Sequence, residues 1–151
     1  MIAFKLLHLL AAVLWVGGMF FAYVILRPAA VEVLQPPERL RLWDKVFQRF
    51  FTWVWGAVGI ILVTGFYLIY QYGGMAHVAH HIHVMLLLGL VMTVIYAYVF
   101  FGLYVPLSVH VAKAHWKEAG ELLAKIRKMV AINLSLGIVI IGVALIGYSL
   151  A

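Results

Sequence analysis

Four long apolar runs decide what this chain can become. Ile2–Leu26, Phe50–Tyr72, Val84–Val105 and Val130–Ala151 each supply the ~20 residues a helix needs to cross ~30 Å of hydrocarbon. The last three carry no charged side chain, and only Lys5 and His8 interrupt the first. Inside a bilayer every backbone polar group must be paired internally, which restricts spanning structures to helices and closed barrels. Runs this long, with no apolar/polar alternation, predict helices. The expected fold is therefore all-α: one four-span transmembrane domain, a membrane four-helix bundle, over residues 1–151. Composition agrees. Of the 151 residues 67% are hydrophobic and 11% charged, whereas a soluble domain is about 25% charged and a disordered chain is never this apolar. The first run exceeds the 7–15 residues of a signal core, and no small-x-small site precedes Tyr23–Leu26, so it is expected to be a retained span.

The connections set the orientation. Residues 27–49 carry Arg27, Arg39, Arg41, Lys45 and Arg49, and residues 106–129 carry Lys113, Lys117, Lys125, Arg127 and Lys128. Residues 73–83 carry no lysine or arginine. The positive-inside rule puts the two basic connections in the cytoplasm and both termini in the periplasm of a bacterial inner membrane. The formal charge of +6 then faces anionic lipid head groups, so the bilayer is the expected partner and nucleic acid is not. Homo-oligomerisation and an unidentified redox partner remain open. Both basic connections also carry helical periodicity: Pro36-Pro37-Glu38 opens a run with Leu40, Trp43, Val46, Phe47 and Phe50 on one face, and Trp116, Ala119, Leu123 and Ile126 repeat the pattern. They predict helices lying at the interface or extending the spans. Pro28 and Arg49, like Pro106 and Arg127, are 21 residues apart; this suggests two parallel halves with the first and third spans equivalent.

In lipid the informative residues are the expensive ones. No span holds Asp or Glu, which argues against a carboxylate proton relay. Asn133 and Ser135 predict hydrogen bonds between helices. With no cysteine in the chain, thiolate metal sites, Fe–S clusters and covalent haem attachment are excluded. Histidine remains. His110 and His115 belong to a basic connection, while His8, His77, His80, His81 and His83 belong to the opposite side. His8 and His83 approach the membrane from that side at comparable depth and predict an axial pair for one haem b, walled by Trp15, whose role would be electron transfer or haem-linked oxidation. If a helix begins near Gly74, His77, His81 and Met85 form an i, i+4, i+8 stripe of imidazole and thioether suited to copper, Cu(I) in particular.

The run from His8 through Trp15 to Phe21, His-Leu-Leu-Ala-Ala-Val-Leu-Trp-Val-Gly-Gly-Met-Phe-Phe, resembles the opening of the copper-resistance protein D (CopD-like) family. His83-Val-Met85-Leu-Leu-Leu-Gly89 resembles that family's third-span motif. The resemblance covers four spans and implies copper handling, by binding or uptake without enzymatic activity, in a bacterial inner membrane. The chain also resembles the HemJ-like protoporphyrinogen oxidases, small four-span haem b proteins with a first-span histidine ligand. Those proteins carry His-x-Lys at the third-span entry. Met85 stands at the lysine position here, which disfavours porphyrinogen oxidation while leaving haem at His8 and His83 open.

Overall fold

A computed structural model describes residues 1–150 and consists of four long antiparallel helices. They are α1 (Ile2–Val33), α2 (Pro36–Gln71), α3 (His80–Ala112) and α4 (Trp116–Leu150). All four are long and apolar enough to cross a membrane, so the chain is a multi-pass membrane protein. Ala151, the last residue of the fourth apolar run, lies outside the described residues.

Each helix is longer than its apolar run. At 1.5 Å per residue, 32 to 36 residues extend about 48–54 Å, well beyond the ~30 Å of hydrocarbon. The excess lies at the basic end, where the two amphipathic stretches continue the spans instead of lying flat. The connections there shrink to Leu34-Gln35 and Lys113–His115. The cause is burial: Leu40, Trp43 and Phe47 of α2, Leu107 and Val111 of α3, and Ala119 and Ile126 of α4 all join the core. Helices lying on the membrane surface would have left those side chains on lipid. The start of α2 is fixed by Pro36 and Pro37 and by a reciprocal cap between Gln35 and Glu38, in which the Gln35 N–H donates to Glu38 Oε2 at 3.3 Å.

Two π-helical turns carry the strongest sign of an internal repeat. In α1 the turn Phe21–Leu26 precedes Pro28, and in α3 the turn Val99–Tyr104 precedes Pro106. A proline lacks the N–H that would bond the carbonyl four residues back. The residue just before each proline, Arg27 or Val105, instead donates to the carbonyl five residues earlier, Ala22 or Phe100. The same device at the same offset in the first and third spans agrees with a duplicated helical hairpin. The pairings agree too: α1 packs chiefly on α2, and α3 chiefly on α4.

A ladder of aromatic rings ties the halves together. Phe47 and Phe51 stack at 5.0 Å, Phe51 meets Tyr104 at 5.2 Å and Tyr96 at 5.6 Å, and Trp15 meets Tyr96 edge-on at 5.9 Å. The Tyr96 hydroxyl donates to the Phe51 carbonyl at 2.9 Å. Asn133 does bridge helices, its Nδ2 donating to the Met92 carbonyl at 3.3 Å. Ser135 does not; its hydroxyl donates back to Ala131 in its own helix at 2.8 Å, the ordinary sink for a serine with no polar neighbour. Gly18 lets α1 sit on the Phe50 ring, where any Cβ would collide.

At the non-basic end α2 closes on Gly73 and Gly74, both at positive φ (94° and 87°). The Gly74 N–H bonds Ile69 O at 2.9 Å and the Gly73 N–H bonds Tyr70 O at 3.1 Å, a Schellman closure. The helix expected to begin near Gly74 begins at His80, after Ala79 in extended conformation. At the basic end α3 closes in the same way, with Ala114 in the left-handed position (φ 56°) where glycine is usual.

Candidate functional site

In the non-basic half of the bundle, all four helices surround a cavity of about 280 Å³. Helix α1 contributes Lys5, His8 and Trp15, α2 contributes Gly65, with Tyr72 just past its end, α3 contributes Met85 and Met92, and α4 contributes Gly137. At the mouth the Lys5 ammonium lies 5.5 Å from the centre of the Tyr72 ring. Further in, the wall is apolar apart from one imidazole.

That imidazole is oriented. His8 Nδ1 lies 2.8 Å from Thr64 Oγ1. Thr64 is buried on α2, and its hydroxyl donates to the Ile60 carbonyl at 2.5 Å. With its one proton so committed, Thr64 Oγ1 accepts from His8, which places a proton on Nδ1, so that Nε2 carries the lone pair of the neutral ring. A metal-binding histidine is characteristically held in this way, by a hydrogen bond from its other ring nitrogen. Trp15, 4% exposed, closes the cavity two turns below. Met85 and Met92 add thioethers to the same wall. The possible metal donors on the cavity wall are thus one imidazole and two thioethers, with no carboxylate, a chemistry that suits a soft monovalent cation such as Cu(I) better than Mg²⁺, Ca²⁺ or Mn²⁺.

The other sequence-predicted residues take different positions. Along α3 the cavity face runs through Ile82, Met85, Leu86 and Gly89 to Leu90 and Met92. His83 lies about 100° around the helix from Ile82 and does not line the cavity. Its Nδ1 lies 3.3 Å from the Ala79 carbonyl and its ring 6.3 Å from that of His80. The structure does not bring His8 and His83 to a common space. His77 lies in the turn before α3, exposed, with its Nδ1 2.8 Å from the Gly73 carbonyl. Because α3 starts only at His80, the expected stripe of His77, His81 and Met85 is broken at its first member. His81 packs against α4 at Gly147, where a Cβ would collide with its ring. Met85 alone of that set reaches the cavity. Among the described residues no three His, Asp or Glu side chains converge to share a metal ion.

Thr64 and Met92 are the residues that sequence reading passed over. Thr64 is a lone hydroxyl in an uncharged span, a weak signal, and 56 residues separate it from His8. Met92 lies one helical heptad after Met85, which puts both on one face.

A family model described as copper resistance protein D matches residues 44–146, about two thirds of the chain. No curated protein and no solved structure matches it. The haem b reading, with its electron-transfer role, finds support neither in this match nor in the arrangement of the histidines. The copper reading is supported by the family match.

Proposed function

The chain belongs to the copper resistance protein D family, and from that premise we propose that it takes up Cu(I) from the non-basic side of the membrane into the cavity beneath His8. Copper here is cargo. His8 Nε2 offers the nitrogen donor and Met85 a sulfur donor, and Met92, beside Val16 and Gly137, offers a second thioether deeper in the cavity. His77 and His80, exposed at the rim, form an imidazole-rich approach that captures the ion loosely before it enters. The carrying observation is the Thr64–His8 hydrogen bond, because it orients the imidazole on a wall that, below the Lys5–Tyr72 mouth, is otherwise thioether, aromatic and aliphatic. The proposed location is a bacterial inner membrane, with the cavity facing the periplasm, supported by the basic residues gathered at the opposite end.

The test is a Cu(I) titration of the purified protein against a chromophoric chelator under reducing conditions. One tightly held Cu(I) per chain is expected in the wild type, and loss of that equivalent in both His8→Ala and His8→Gln. Unchanged stoichiometry and affinity in both variants would overturn the assignment.

A further inference from the structure

A second cavity, of about 240 Å³, lies in the basic half of the bundle on the other side of Trp15. Its only charged lining residues are Arg27, Arg39 and Arg127, and it has no carboxylate. Arg27 and Arg39 are half-buried, and the Arg27 guanidinium lies 5.2 Å from the Tyr23 ring centre, on the cavity wall. Three arginine side chains on the wall of one cavity, Arg127 exposed among them, with no carboxylate beside them make an anion the complementary ligand. Below them the wall is apolar and aromatic, with Met19, Phe50, Val54 and Val130.

We propose that this cavity is a binding site for an anionic phospholipid, whose phosphate is held by Arg27, Arg39 and Arg127 and one of whose acyl chains enters between α1 and α4. Three observations select a lipid over a soluble anion. Arg27 directly follows the apolar run that ends at Leu26, and Arg127 lies three residues before the run that starts at Val130; this is the level at which lipid phosphates sit. Beyond Arg27, α1 leans on α2 rather than α4, so the arginine end of the cavity is open between α1 and α4 at the level of the headgroups. Its long apolar wall would be wasted on a free phosphate. Basic pockets between spans on the Lys/Arg-rich side are a recurrent form of lipid recognition. At the deep end Asn133, 4% exposed, gives its Nδ2 to Met92 and leaves Oδ1 buried without a partner. The inference is independent of the copper assignment.

Native mass spectrometry of the full chain in detergent tests it, with phosphatidylglycerol and phosphatidylcholine of identical acyl chains as probes. One retained phosphatidylglycerol per chain is expected, preferred about tenfold or more over phosphatidylcholine, as two or three guanidinium contacts imply. The pair Arg27→Gln and Arg39→Gln should abolish the preference, while Lys113→Gln with Lys117→Gln, at the same end but outside the cavity, should keep it. Glycerol 3-phosphate in millimolar amounts should not displace the lipid. Equal binding of the two lipids, equal loss in the two double variants, or displacement by glycerol 3-phosphate would each overturn the proposal.

Discussion

His8 Nδ1 donates to Thr64 Oγ1 at 2.8 Å, while the same hydroxyl donates to Ile60 O at 2.5 Å. This two-bond relay crosses from α1 to α2 and fixes which imidazole nitrogen is free. A ligand so held loses little rotamer freedom on binding a metal, and its orienting partner becomes part of the site. Thr64→Val keeps the shape and removes the acceptor. Cu(I) affinity should fall about 10- to 100-fold, the usual cost of losing an orienting partner. Thr64→Ser should restore most of it. Chelator competition measures both, and equal affinities for the Val and Ser variants would show that the relay has no part in binding.

The two methionines and the rim histidines should separate by equilibrium and rate. Met85→Leu with Met92→Leu conserves volume but removes the soft donors, so the equilibrium affinity for Cu(I) should drop. His77→Ala with His80→Ala should leave the tightly held equivalent in place and slow its loading, followed by stopped-flow exchange from a chelator. A double histidine variant that loses the equivalent would move the site to the rim.

Much of this architecture was legible in the four apolar runs, because nothing but a helix satisfies that much backbone in lipid. Helix length was less so. Trp43, Phe47 and Ile126 are periodic in the sequence, but whether that face meets lipid or other helices depends on neighbours that periodicity does not name. The site was half legible. His8 is conspicuous as a titratable group in an apolar span, and Trp15 shares its face. The choice between His83 and Met85 depends on where α3 starts and how it is rotated. Gly73 and Gly74 end α2 in a closure that delays the next helix to His80, and a single residue of offset turns a side chain by 100°. Thr64 was out of reach, since a contact 56 residues apart leaves no periodic trace.

Ala114 occupies the left-handed position closing α3 at φ 56°. Such a residue costs roughly 1–2 kcal/mol where glycine costs nothing. Ala114→Gly should raise the thermal transition by a few degrees, about 2–4 °C per kcal/mol for a chain of this size. Fluorescence-monitored melting in detergent measures it, and a lowered transition would mean that the methyl group packs usefully.

The proposed orientation has its own check. The proposal puts both termini on the outside, on the ground that the basic connections lie at one end and the lysine- and arginine-free connection at the other. Alkaline phosphatase fused after the C-terminus should be active in a bacterial host. An inactive phosphatase fusion together with a fluorescent C-terminal green fluorescent protein fusion would reverse the orientation and put the copper cavity toward the cytoplasm.

The most direct test of the central claim is X-ray absorption at the copper K-edge on the wild-type protein loaded with one Cu(I) in lipid nanodiscs. A first shell mixing one imidazole nitrogen with thioether sulfur is predicted, with the sulfur contribution lost in the Met85→Leu, Met92→Leu variant and the imidazole contribution lost in His8→Gln. A shell of imidazole nitrogens alone, unchanged in those variants, would contradict the account.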